Sequence, residues 1–318
     1  MALYGLSSGR DEERQRLSLA DPICVAPTGD ICGEGAVWHA AENALYWTDI
    51  NRFLIHRYEA ASGNVKTWFF DEPVTALILT TWPTTLAAVL GSGLILWEPA
   101  KDSRREYAFR LADWPQTRCN DARADPRGSL WIGTMWNNVN TDGSPSEEKN
   151  GYGRLYRIDP DQTSKEFRGQ LGISNTLVWN PQRTAFYFAD SMANIVYQYD
   201  YDSKTGEIDN ERPFFRDFAR GAPDGSAMDA EGFLWNCRYG GGCVVRVAPD
   251  GKIERIVEMP TPNVTTCTFG GEDLRTLYIT TAAAGAKPGD RFAGGLFSLA
   301  IEVQGQPENR FSLLIGGN

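Results

Sequence analysis

The chain has 318 residues and is rich in Trp, Tyr, Phe and Gly, which suits one large all-β domain or two ordinary ones built from short strands and tight turns. Its formal charge of −10 argues against nucleic acid and against an anionic membrane surface, because either partner needs a basic face. No apolar run is long enough to span a bilayer and the N-terminus lacks a signal-peptide core, so the expectation is a cytoplasmic protein with a polar N-terminal arm over residues 1–20 and one domain over 21–318.

Along the chain one pattern returns. It consists of a short apolar stretch, a polar turn and then an apolar-aromatic stretch. The first copy runs from Trp38 to Asp49, and a weaker one spans 76–90 with its turn at Thr81-Trp-Pro-Thr-Thr85. Further copies run from Ala122 to Thr134, Val178 to Asp190, Ala227 to Trp235 and Phe269 to Thr280. The aligned markers Trp47, Ala88, Trp131, Tyr187, Trp235 and Tyr278 have a mean spacing of about 46 residues, near the roughly 40–50 of propeller blades. Third strands are supplied by Leu54-Ile-His-Arg-Tyr58, Leu155-Tyr-Arg-Ile158, Ile195-Val-Tyr-Gln-Tyr199 and Val244-Val-Arg-Val247. Ser62-Gly63 and Asp250-Gly251 carry hairpin-turn chemistry. No segment has helical periodicity, and a pair of β-sandwiches would not need six copies at near-constant spacing. The sequence therefore predicts an all-β, six-bladed propeller with a central channel.

Each copy is approached through a short polar segment, expected to be a turn. These are Gly33-Glu-Gly35, Arg118-Cys-Asn-Asp121, Ser174-Asn-Thr176, Pro223-Asp-Gly225 and Val264-Thr-Thr266. Equivalent places in a propeller map onto one ring around the axis. That ring holds the oxygen donors Glu34, Asn120, Asn175 and Asp224, while the Cys119 side chain alternates away. Two carboxylates converging in a narrow channel repel one another unless a cation neutralises them. Taken singly, Asp224 in Pro-Asp-Gly is a common turn residue and Asn175 could cap a strand end. Glu34 between two glycines is harder to explain as a turn.

The six cysteines are scattered singly, without CxxC pairs, and read as reduced core thiols. The only histidines are His39, placed in a turn, and His56, placed in a third strand away from the axis. With no Gly-x-Ser-x-Gly elbow, the sequence argues against a Ser-His-Asp hydrolase. Asn263-Val-Thr265 fits a glycosylation acceptor but reads as an approach to the channel.

At these residues the sequence resembles the senescence-marker-protein/gluconolactonase (regucalcin-like, SMP-30) family. The marks are Gly33-Glu-Gly-Ala-Val-Trp38, Arg118-Cys-Asn-Asp121 leading to Trp131-Ile-Gly-Thr-Met135, Ser174-Asn175, and Tyr187-Phe-Ala-Asp-Ser191. Pro223-Asp-Gly225, Asp229-Ala-Glu-Gly232 and Phe269-Gly-Gly271 follow in order. The resemblance implies one divalent cation on the propeller axis, held by Glu34, Asn175 and Asp224, and hydrolysis of a sugar lactone. It makes Asp224 the catalytic acid/base, and Arg118 and Asn120 the donors to sugar hydroxyls. Some members place a substrate-contacting Glu three residues after Gly-Thr-Met; here Asn138 stands there, followed by a long polar loop expected to overhang the channel mouth.

Oxygen ligands suit Ca²⁺, Mg²⁺ or Mn²⁺, and carboxylate sites also take Zn²⁺ or Fe²⁺. The Arg118 fork suits sugar oxygens or the carboxylate of an acidic sugar, and Asn120 and Asn138 suit a polyol. Two alternatives stay open at this stage. One is a calcium-binding or protein-binding propeller without catalysis. The other is a propeller esterase acting on non-sugar lactones or organophosphates.

Overall fold

The computed structural model describes residues 21–314, so the arm expected over 1–20 lies outside the described residues. Twenty-four strands form six four-stranded antiparallel sheets. The first blade is β2 (Gly33–His39), β3 (Ala44–Asp49), β4 (Leu54–Glu59) and β5 (Val65–Phe69). The second is β6 (Val74–Leu79), β7 (Leu86–Leu90), β8 (Gly93–Glu98) and β9 (Ser103–Arg110). The third is β10 (Thr117–Ala124), β11 (Leu130–Trp136), β12 (Gly153–Ile158) and β13 (Ser164–Leu171). The fourth is β14 (Ser174–Trp179), β15 (Ala185–Asp190), β16 (Ile195–Tyr201) and β17 (Ile208–Arg216). The fifth is β18 (Ala222–Met228), β19 (Leu234–Tyr239), β20 (Cys243–Val247) and β21 (Ile253–Glu258).

The last blade joins the two ends of the chain. Its inner strands are β22 (Val264–Gly270), β23 (Thr276–Thr281) and β24 (Leu296–Ala300), and its outer strand is β1 (Ile23–Ala26), pairing Ile23 with Ser298. The innermost strands touch in a closed ring, β2 to β6, β10, β14, β18, β22 and back to β2. The sole helical element among the described residues is a 3-10 turn at Ala40–Glu42. Among the same residues no helix is long and apolar enough to cross a membrane.

Burial explains the repeat. Inner and second strands are buried on both faces, because neighbouring blades cover them, whereas outer strands such as β13 and β21 are largely exposed. The aromatic markers Trp47, Trp131 and Trp235 are fully buried, and each indole N–H still finds a carboxylate: Asp30 at 2.7 Å, Asp125 at 3.0 Å and Asp229 at 3.0 Å. Asp125 and Asp229 sit in the turn before the second strand. Each also accepts two backbone N–H groups of that turn, so one side chain fixes both the turn and the Trp.

Beyond the last blade, residues 301–314 run across the far ends of the inner strands. Phe311 exchanges backbone hydrogen bonds with Leu79 and Thr81, Gln306 N–H donates to Met228, and Ser312 N–H donates to Gly128. Phe311 is fully buried. All six cysteines are free; Cys119, Cys237, Cys243 and Cys267 are buried, and Cys24 and Cys32 partly so. His39 is a correction: it ends β2 as a buried strand residue and the turn follows it. His56 lies in β4 and its Nε2 faces Asp30 at 3.2 Å.

Candidate functional site

The polar segments expected to be turns are strand. Glu34, Asn120, Asn175, Asp224 and Thr265 all lie within inner strands, near their starting ends. The irregularity that reads as a turn in sequence is a bulge. Every inner strand slips register against its neighbour there, between Glu34 and Val37, Val74 and Ala76, Cys119 and Ala122, Asn175 and Val178, Pro223 and Ser226, and Val264 and Cys267. Bulges re-aim side chains and cluster beside functional sites.

The residue following each proposed ligand is under special constraint. Gly35 has φ 59°, and a Cβ there would meet the Ala76 backbone at 2.8 Å. Thr176 has φ 56°, a left-handed conformation that a β-branched side chain rarely adopts. It is held by its hydroxyl, which donates to the Asp224 carbonyl and sits 2.8 Å from Ser226 Oγ. A Cβ on Gly225 would meet Thr266 Oγ1 at 2.1 Å. Strain of this kind costs about 1–3 kcal/mol and persists where surrounding structure enforces it.

Glu34, Asn175 and Asp224 line one cavity of about 550 Å³ at this end of the channel, together with Arg118, Asn120 and Asn138. All six candidate residues are therefore brought together. The size is that of a small-molecule pocket. Burial pushes the Glu34 carboxyl well above the usual carboxylate range, and the charges of Asp224 and Asp121 push it further. Burial does the same to Asp224, with Asp121 adding repulsion. The basic groups acting on this pair, Arg118 and Arg238, act through space. Among the described residues no three His, Cys, Asp or Glu side chains gather into a metal cage. The donor set here is two carboxylates and an amide. Carboxylates that are half-buried or buried and repel each other, with an amide oxygen beside them, fit a hard divalent cation.

Asp121 is the third carboxylate of the channel, pushed up to about 6 by burial. It lies in the quoted Arg118–Asp121 motif, yet sequence reasoning gave it no role. Ser191 and Thr176 were missed in the same way, although Thr176 stands in a segment that the repeat singles out and Ser191 ends a motif that carries the family resemblance.

The polar residues form one hydrogen-bonded line. Glu148 Oε1 accepts from Asn138 Nδ2 at 3.0 Å, and Asn138 Oδ1 accepts from Arg118 Nε at 3.1 Å and Nη2 at 2.9 Å. Arg118 Nη1 donates to Asn120 Oδ1 at 2.7 Å, and Asn120 Nδ2 donates to Asn175 Oδ1 at 2.9 Å. Asn175 Nδ2 then donates to Ser191 Oγ at 2.9 Å, which donates to the Pro223 carbonyl. The line fixes the orientation of all three amides, Asn138, Asn120 and Asn175. It leaves Asn175 Oδ1 one lone pair for a cation and Asn120 Oδ1 one for a substrate hydroxyl. Arg118 is buried, and its fork is engaged by Asn138 rather than free for a substrate carboxylate. Burial lowers its pKa, while Glu148 and Glu34 work in the other direction.

The loop after β11 overhangs the mouth, as expected. Its Gly143 carbonyl accepts from Asn51 Nδ2 of the first blade at 2.8 Å, on the far side of the cavity. Glu148, carried by this loop, left no signal in the repeat.

The sequence profile described as SMP-30/gluconolactonase/LRE-like region matches residues 32–283. A pentonolactonase from Haloferax volcanii is 36% identical over 301 residues, covering 92% of this chain and 98% of that one. A 6-deoxy-6-sulfogluconolactonase from Pseudomonas putida is 33% identical, covering 91% and 98%. The crystal structure of a calcium-binding protein, regucalcin, from Agrobacterium tumefaciens superposes with a TM-score of 0.84 at 27% identity, covering 92% of this chain and 97% of that one.

Proposed function

The chain belongs to the SMP-30/gluconolactonase/LRE-like family, and from that premise we propose that it is a carboxylic ester hydrolase that opens a sugar lactone to the sugar acid. The observation that carries the reading is the pair of mutually repelling carboxylates, half-buried Glu34 and buried Asp224, beside Asn175 in a polyol-sized cavity. Glu34, Asn175 and Asp224 would hold one divalent cation, drawn from Ca, Mg, Mn, Zn or Fe. Bound there, the cation supplies Lewis-acid polarisation of the lactone carbonyl and lowers the pKa of bound water.

The protein's own groups do the rest. Asp224 takes a proton from the attacking water as the new C–O bond forms, then returns it to the ring oxygen as the ring C–O bond breaks. Its burial favours the protonated state that the second step requires. Asn120 accepts a sugar hydroxyl, and Arg118 holds Asn120 and Asn138 in place. Glu34 stays a ligand, with one oxygen accepting the Gly35 N–H at 3.0 Å.

The test is a panel of aldono- and aldarolactones offered to chelator-stripped protein with each metal restored in turn. Turnover that needs metal and is lost in Asp224→Asn supports the reading. Metal binding measured by calorimetry, with no lactone opened under any metal, overturns it in favour of a binding propeller like the calcium-binding relative.

A further inference from the structure

The cavity wall is unevenly charged. Among the described residues lining it, Arg118 is the one basic side chain, and its fork is engaged by Asn138. Three carboxylates line the same cavity: Glu34 and Asp224 at the floor, and Glu148 at the mouth. A divalent cation offsets the floor pair. Among the described residues no ion pair reaches Glu148: Arg118 acts on it only through space, with Asn138 between them, and its neighbour Lys149 is turned onto the Trp136 ring, with Nζ 4.1 Å from the centroid.

Glu148 is also held in place. The Asn138 amide donates to it, and the loop that carries it is braced at several points. Ser146 N–H donates to the Asn138 carbonyl at 2.7 Å, Val139 bridges Pro145, and Gly143 is tied to Asn51. Trp136 packs edge-on to Tyr152 at the base of the loop. Glu148 itself is exposed. A carboxylate has four acceptor positions, and among the described residues Asn138 alone donates to this one.

We propose that Glu148 sets substrate choice: it accepts hydroxyls of a neutral polyhydroxylated lactone and repels lactones that carry a second acidic group. This rests on the lactonase reading and deepens it. It assigns the neutral aldonolactones, rather than acidic-sugar lactones, as the substrate class. Arg118 would otherwise have favoured acidic sugars, but it is buried and its fork is engaged by Asn138.

The experiment measures kcat and KM of the metal-loaded protein on glucono-1,5-lactone and on a monolactone of glucaric acid, for wild type, Glu148→Gln and Glu148→Lys. Glu148 is solvent-exposed on a loop, so the fold survives both changes. Wild type should prefer the neutral lactone by about tenfold or more, the scale of one charged contact. Glu148→Gln should lose about tenfold in kcat/KM on the neutral lactone through KM, with kcat little changed. Glu148→Lys should bring the two substrates level or reverse their order. A ratio within twofold of wild type in both variants overturns the proposal, as does a loss confined to kcat. If wild type opens no lactone, the lactonase reading fails, and the charge preference is read instead from calorimetric binding of arabinitol against galactarate to the same three proteins. Equal ratios there overturn the Glu148 assignment, and a shift toward galactarate in Glu148→Lys supports it.

Discussion

At one end of the channel the inner strands begin with Glu34, Asn175 and Asp224 around an open cavity of about 550 Å³. At the other end the same strands finish under residues 301–314, with Phe311 fully buried. The polar end is irregular: register slips in every blade, left-handed backbone at Gly35 and Thr176, and carboxylates that repel each other. The closed end is largely paired: Asn309 donates to the Ala124 carbonyl, Arg310 to Thr80, and Arg123 faces Glu308 at 3.3 Å, with Gln306 Oε1 a buried exception. The two ends share strands and differ in what is left unmet. Chemistry gathers where groups are held without their preferred partners, and stability where they are fully paired.

That contrast can be broken from either side. The largest effect should come from Asp224→Asn, which removes the proposed proton carrier and the charge of one proposed ligand. Lactone turnover should fall by about a thousandfold or more, with an unchanged circular dichroism spectrum. Activity within tenfold of wild type would remove Asp224 from the chemistry. At the closed end, Phe311→Ala should cost about 3–5 kcal/mol of stability in denaturant titration, with activity per folded molecule retained. A large loss of kcat with little loss of stability would mean that the two ends are coupled.

A smaller effect concerns the metal-free protein. The Glu34 and Asp224 pKa values are raised on folding. As pH rises past the ordinary carboxylate range of about 4, the unfolded chain releases these protons first and the native state keeps them. The native state then binds more protons, so stability falls with rising pH through that window. Glu34→Gln should flatten the fall and raise the chelated protein's Tm near neutrality by several degrees, while abolishing stabilisation by added metal. An unchanged slope in thermal melts across pH 4–8 would contradict this. The smallest effect should be Glu308→Gln, which loosens the partly exposed pair with Arg123 and should cost under about 1 kcal/mol, with no change in kcat.

The sequence was most readable where one physical requirement recurs. Each blade buries its second strand on both faces, so aromatic residues return at blade spacing and the ring of Glu34, Asn120, Asn175 and Asp224 can be aligned. The bulges were visible as polar, glycine-bearing segments but were taken for turns, because Gly35 and Gly225 serve either role. Thr176 could not be placed in the left-handed region from its type, since β-branched residues avoid it. Glu148 was unreadable for another reason. Its partner Asn138 lies across a loop with no period, and no pattern marks which of its charged residues turns inward. The tail after Leu299 likewise departs from the repeat, and its docking depends on contacts with Thr80, Gly128 and Met228, far away in sequence.

The last blade, assembled from β22 to β24 and completed by β1, bears on how the molecule is made. Ile23 leaves the ribosome long before its partner Ser298. For most of translation the first strand has no sheet to join and the ring is an open crescent with unpaired edges at both ends. Closure then draws together strands far apart in sequence, and its entropy cost grows only slowly with their separation, so the late step is a matter of waiting rather than of stability. During that wait the crescent's bare edges are its most vulnerable surface, and the short β1 presents only four residues of it.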